Sequence, residues 1–304
     1  MGMDLTQRYK YLGGTDCAAV LGLSRWRTPL QVWAEKTEQI IPKELDSEAA
    51  ELGKELEDYV ARRFCKKTGK EVRRINETLF HKKYNFLGAN IDRRIVGENT
   101  ILECKTCSAW KSKEWEGEEI PAEYIMQCYH YIMVTGVEKC YIAVLIGNQD
   151  FKWKEIKRDE KIISEILKKE VAFWNNFIKT KEMPMIITKN DDDILYQLFP
   201  NAETEKVIEL PDDADKIVDS VKLLTADKIN LEGLIEQQKN ELKAMLKEAE
   251  IGLTKKYKIK WSNIISNRLE TKKFKAEQLE MYNKYVKETP SRKLTMAEIK
   301  KEGL

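Results

Sequence analysis

Apolar and polar positions follow three successive rhythms along this chain, and each change of rhythm marks a change of element. Residues 11–38 hold a Gly13-Gly14-Thr15-Asp16 turn, an apolar stretch from Cys17 to Leu23 and a second helical stretch after Pro29. Helix signals recur from Asp46 to Lys67, with Asp46 or Ser47 as the N-cap and Gly69 as the terminator. From Glu71 to Lys105 the period falls to two. Asn85 to Val96, the turn Gly97-Glu98-Asn99 and Thr100 to Thr106 predict a β-hairpin. A helix starts after Pro121 and runs to Thr135, closed by Gly136. Tyr141 to Ile146 and Phe151 to Ile156 predict two further strands, and an amphipathic helix over Glu160 to Thr180 completes an α/β unit.

Past Pro211 the texture differs. Ile217, Val221, Leu224, Leu231, Ile235, Leu242, Met245 and Ala249 recur at heptad spacing, interrupted by Lys228 and Gln238. This is a coiled-coil seam, available to a second chain or to an intramolecular hairpin. Gly252 ends it, a β segment is expected over Lys256 to Ile265, and the tail is helical and basic around Lys272 to Lys287. Residues 1–200 are therefore expected to form a catalytic domain, and 211–304 an appended coiled-coil and β/helical module. No internal repeat or low-complexity tract interrupts either.

Composition narrows the classes. A chain of 304 residues with 42% hydrophobic and 34% charged residues has a soluble, charge-rich character, and no apolar run approaches the roughly 18 residues of a membrane span. Met1 to Lys10 lack the apolar core of a secretory signal, which predicts a reducing, cytoplasmic location and six thiols rather than disulfides. The net charge of +2 announces no polyanionic partner, so contacts to nucleic acid fall to local clusters such as Arg62-Arg63, Arg73-Arg74 and Arg93-Arg94.

The chemistry lies among the carboxylates. In a strand over Ile101-Leu102-Glu103-Cys104-Lys105, Glu103 and Lys105 leave one face while Leu102 and Cys104 leave the other. Asp92 follows Gly88 on the preceding arm, and a short hairpin brings it opposite Glu103. Two carboxylates on adjacent strands suit a hard divalent ion such as Mg²⁺, and a lysine beside them can orient or deprotonate a water attacking a phosphodiester. An Asp and a Glu-x-Lys alone are more often a surface salt bridge. Two further stripes add weight. Gly53, Glu57, Val60 and Phe64 share a helical face, so Glu57 needs a partner or a metal. Tyr124, Gln127, Tyr131 and Val134 share another, where an amide and two phenols replace core residues.

The order of these residues resembles the YqaJ-like viral recombinase family, relatives of lambda exonuclease in the PD-(D/E)xK nuclease superfamily. The blocks are Gly13 to Gly22 with Thr28-Pro29-Leu30-x-x-Trp33, Leu52-Gly53-Lys54-x-x-Glu57, Gly88-x-x-x-Asp92, Leu102-Glu103-x-Lys105 and Pro121-x-x-Tyr124-x-x-Gln127-x-x-x-Tyr131. The resemblance implies an α/β fold with a central mixed β-sheet flanked by helices. It implies an enzyme that digests linear double-stranded DNA 5′ to 3′, leaving 3′ overhangs for recombination, with two Mg²⁺ ions for which Mn²⁺ substitutes. Asp92 and Glu103 then resemble metal ligands, with the Cys104 carbonyl as a third, and Glu57 the carboxylate of a second ion. Lys105 resembles the lysine that handles water, supported by Gln127 and Tyr124. Arg8 and Thr15 resemble the arginine and hydroxyl that hold a 5′-phosphate, where the family's usual serine is Thr15. Implied partners are duplex ends, a single-strand annealing protein and further copies of the chain, in a trimeric ring, within the host cytoplasm of a phage or prophage.

Other readings stand beside this one. Cys104-Lys105-Thr106-Cys107 has C-x-x-C spacing, but Cys104 leaves the opposite face from Glu103 and no second pair exists. Trp26, between Arg25 and Arg27, is placed either to stack on a DNA base beside two phosphate-binding arginines or to pack on its own domain. Asp191-Asp192-Asp193 is expected to be a solvated turn, and His81 and His130 ordinary polar residues. The functional alternatives are a non-catalytic DNA-binding scaffold and a restriction-type endonuclease.

Overall fold

The computed structural model describes residues 9–41 and 47–298. Asp46 and Arg8 lie outside them. The chain forms two compact units, Met1–Pro200 and Asn201–Leu304.

In the first unit side-chain hydrogen bonds fix the starts of the first three helices. The helix α1 (Gly14–Val20) begins where Asp16 accepts the Gly13 N–H at 2.9 Å. Thr28 caps α2 (Pro29–Lys36), which opens on proline at a position whose N–H has no helical partner. Ser47 caps α3 (Glu48–Thr68), and Gly69 ends it at φ 72°, in the left-handed region that glycine enters without strain. Strands β1 (Val72–Arg74), β2 (Leu79–Phe80), β3 (Gly88–Ala89), β4 (Arg93–Ile95) and β5 (Thr100–Cys107) follow. A short 3₁₀ turn over Ala109–Trp115 leads to α4 (Ala122–Thr135), β6 (Lys139–Ile146), β7 (Asp150–Lys157) and α5 (Glu160–Phe173). A wider turn, Trp174–Ile178, closes α5, and α6 (Asp192–Leu198) ends the unit.

Five strands make one sheet in the order β1-β4-β5-β6-β7. Only β5 and β6 are parallel, because α4 carries the chain back between them; the other neighbours are antiparallel, so the sheet is mixed. Alternation divides it cleanly. Leu102, Tyr141 and Ala143 pack on Val60, Ala61 and Phe64 of α3, while Ile101, Ile142 and Val144 face the larger core with α1, α2, α4 and α5. The expected hairpin exists, with Arg93 opposite Leu102 and Arg94 opposite Ile101. Its first arm is broken, however, because β3 leaves to pair with β2. Asp191 also departs from expectation: it is fully buried, at the foot of α6 rather than in a solvated turn.

In the second unit α7 (Asp213–Leu246) is one uninterrupted helix of 34 residues, which rules out a seam folded back on itself. Ile217, Leu224, Leu231 and Ile235 are exposed along it. Gly252 lies in β8 (Ile251–Leu253) instead of ending the helix. The β8 strand pairs with β9 (Lys258–Lys260), and α8 (Thr271–Glu277) and α9 (Leu279–Tyr285) follow.

Candidate active site

One step along the ladder from the Arg93–Leu102 pair, Asp92 stands beside Glu103, and its Oδ2 accepts the Cys104 N–H at 2.7 Å. Period two puts Glu103 and Lys105 on one face, where Lys105 Nζ lies 2.5 Å from Glu103 Oε1. From α4, Gln127 donates through Nε2 to the same Glu103 oxygen at 2.8 Å and to the Tyr131 hydroxyl at 3.0 Å. Glu103 is almost wholly buried, yet its Oε2 has no hydrogen-bond partner among the described residues. A buried carboxylate oxygen left bare is costly, and its neighbours here are another carboxylate and an ammonium.

The electrostatics show the same strain. Burial and the charge of Glu103 push the Asp92 carboxyl well above the usual carboxylate range. Enclosure opposes the charge on Lys105, but Glu103 and Asp92 outweigh it and hold the amine above the ordinary lysine value. Lys105 is thus a fixed ammonium, with Nζ 5.1 Å from the centre of the Tyr124 ring. Glu57 comes from α3, on the face that buries Val60 and Phe64. Its Oε1 accepts from Arg93 Nη1 at 2.5 Å. Asp92, Glu103 and Lys105 thus meet from β5 and the approach to β4, and Glu57 of α3 lies near enough for its charge to act on Asp92. Oxygen donors of this kind, with a bare buried oxygen, fit a hard divalent cation.

Other expected residues have different surroundings. Arg27 is not an open cation: it pairs with Asp16 and Glu35, both internal to the unit. Asp16 in turn also meets Lys36, and the two cations hold its carboxyl well below the usual range despite burial. Arg25 is tied to Glu114 and Glu123. Trp26 stays exposed while leaning on Tyr124, with ring centres 6.2 Å apart, and Arg25 and Lys111 lie over its ring. Thr15 is exposed on α1. Cys104 and Cys107 are three apart on β5, and their side chains pack in opposite cores, so they cannot converge on one ion.

Two features were missed from the sequence. His130 is fully buried: Nδ1 lies 2.9 Å from Glu170 Oε1, and Nε2 lies 2.9 Å from the Gly88 carbonyl oxygen. Cys17 completes a Cys-His-Glu cluster there. With one ring nitrogen donating to a carbonyl and the other to a carboxylate, His130 has no lone pair for a metal. On β1 and β4, Arg73 faces Arg94 and Arg74 faces Arg93. Arg74 and Arg93 share Glu57 and Asp58, whereas Arg73 and Arg94 have no carboxylate partner among the described residues.

A mixed sheet with α3 on one face and α1, α2, α4 and α5 on the other, bearing acids and a lysine on adjacent strands, is the architecture of a known class. The fold is that of an alkaline exonuclease from Laribacter hongkongensis, with a TM-score of 0.51 at 21% identity, covering 58% of this chain and 91% of that one. The same enzyme in complex with dAMP superposes equally, with a TM-score of 0.51 at 23% identity, over 57% of this chain and 90% of that one. The YqaJ-like viral recombinase domain matches residues 5–138. The protein YqaJ of Bacillus subtilis (strain 168) is 41% identical over 298 residues, covering 97% of this chain and 93% of that protein. The chain belongs to the YqaJ-like viral recombinase family.

Proposed function

We propose that the protein is a Mg²⁺-dependent exonuclease that digests linear duplex DNA from its 5′ ends and leaves 3′ overhangs for recombination. The observation that carries this is the meeting of Asp92, Glu103 and Lys105 on adjacent strands, with one buried Glu103 oxygen lacking a partner among the described residues. The fold shared with an alkaline exonuclease, one form of which holds dAMP, points to nucleotides as the product class. Arg73 and Arg94, like charges opposed across two strands with no carboxylate partner among the described residues, favour an external polyanion such as a DNA backbone.

Asp92, Glu103, Glu57 and the Cys104 carbonyl would hold two ions, which would supply positive charge to the oxygens of the scissile phosphodiester. Lys105, beside Glu103 on the same strand face, would orient the attacking water or take its proton. Gln127 fixes the Glu103 carboxylate through one oxygen and leaves the other to the site. Tyr124 forms the wall against which Lys105 sits. The 3′ strand left behind would pass to a single-strand annealing protein, and a ring of copies, readable by light scattering, would keep the enzyme on its duplex.

The test is digestion of a blunt linear duplex, labelled at either end, with Mg²⁺. Wild type is expected to release nucleotides from the 5′ ends and to spare closed circles, and Lys105→Ala to be slower by roughly 10² or more, the scale set by removing one preorganised charge. If wild type and Lys105→Ala behave alike, the assignment fails. Cutting of closed circles would make the enzyme an endonuclease.

A further inference from the structure

We infer that Arg93 is a positioning residue that fixes Glu57 against Asp92 and so assembles the second of two divalent-ion positions; this rests on the nuclease reading above. Arg93 is buried, with its side chain only 4% exposed, and its guanidinium binds three groups at once. Nη1 donates to Glu57 Oε1 at 2.5 Å and to the Asp92 carbonyl oxygen at 2.6 Å, and Nη2 donates to Asp58. One planar fork therefore ties the segment that carries Asp92 to the helix that carries Glu57, and Arg93 and Glu57 are 36 residues apart in the chain.

The charges make this an orienting contact and not a block. Asp58, next to Glu57 on α3, neutralises Arg93, and exposed Arg74 reaches both acids only at 3.9 Å. Glu57 therefore shares Arg93 with Asp58 instead of meeting it alone. Arg93 engages Oε1 of Glu57, and Oε2 takes no part in that contact. Without the fork, Glu57 would be a partly exposed side chain on a helix surface with several rotamers open to it, and ordering it would count against ion binding. A buried arginine is also the residue type suited to three acceptors in fixed directions; a lysine in its place keeps the charge but cannot span them.

The experiment titrates the full-length protein with Mn²⁺ in the absence of DNA, read by electron paramagnetic resonance of free Mn²⁺ and by calorimetry. Arg93→Lys keeps a cation between the two acids and therefore the fold, checked by its thermal transition; Arg93→Gln is the second variant. Wild type is expected to take up two ions. In Arg93→Lys the tighter step should be unchanged and the weaker step should fall by on the order of tenfold, with a larger fall in Arg93→Gln, the usual scale for losing a group that orients a metal ligand. Glu57→Gln should remove the weaker step, and Asp92→Asn should weaken both. Two unchanged steps in Arg93→Lys and Arg93→Gln would overturn the inference, as would a tighter second step, which would make Arg93 a competitor of the ion. Failure of wild type to bind Mn²⁺ would overturn the nuclease reading itself, a result distinct from a selective loss in the variants.

Discussion

Replacing His130 by leucine tests the buried half of the molecule most sharply. His130 and Glu170 are both completely buried, and the imidazole also donates to the Gly88 carbonyl. Although burial by itself disfavours the imidazolium, the Glu170 carboxylate and the Gly88 carbonyl raise its folded value above the ordinary 6.5, with Asp16 adding to the effect. His130→Leu leaves Glu170 in the core with, among the described polar groups, the Cys17 thiol beside it. Removing one partner of a buried pair costs roughly 3–5 kcal/mol. For a unit of this size that is a fall in Tm of roughly 6–20 °C, taking about 2–4 °C per kcal/mol. The double variant His130→Leu/Glu170→Leu, which removes both charges, should recover most of the loss. Because the folded value is raised, the pair's contribution is fully present below pH 6.5 and declines as pH rises through the folded value. Scanning calorimetry of the wild type and the two variants across pH 5 to 9 decides the matter (a span of roughly two units either side of neutrality). A loss below about 1 kcal/mol in the single variant at low pH, or a double variant no better than the single, would refute the ion-pair account.

Other outcomes follow from the same packing. In Gly14→Ala the new methyl would lie 2.4 Å from a Tyr131 ring carbon and 3.0 Å from Gln127 Cγ, so α1 and α4 must separate. The stability cost is about 1–3 kcal/mol, and because Gln127 supports Glu103, DNA digestion well below Tm should slow as well; full activity would show that the support is dispensable. Asp191→Ala strands the Thr28 hydroxyl and the Thr188 N–H that it now accepts, for a loss of roughly 2–3 kcal/mol in urea melts with Mn²⁺ uptake unchanged. An unchanged melt would mean that Asp191 is not holding α2 to α6.

The candidate site is legible along the chain wherever direction follows from a local period. Glu103 and Lys105 share a face because strands repeat every two residues, and Gln127 shares one with Tyr131 because helices return after four; the structure joins each of these pairs by a hydrogen bond. The turn at Gly97 similarly sets Asp92 beside Glu103. Partnership obeys no such period. Arg27 has the makings of a surface cation until packing brings Asp16 and Glu35 to it. Asp191 has the makings of a solvated turn until Thr28, 163 residues away, reaches it. His130 is an ordinary polar residue until α5 delivers Glu170. Arg93 is one more basic residue in a pair until α3 lays Glu57 and Asp58 across it. Periodicity is a property of neighbouring backbone angles, so it is written locally and fixes which way a side chain points. Which charge it meets depends on how helices and strands distant in sequence pack, and burial then makes that meeting obligatory, because an ion removed from water cannot remain unpaired.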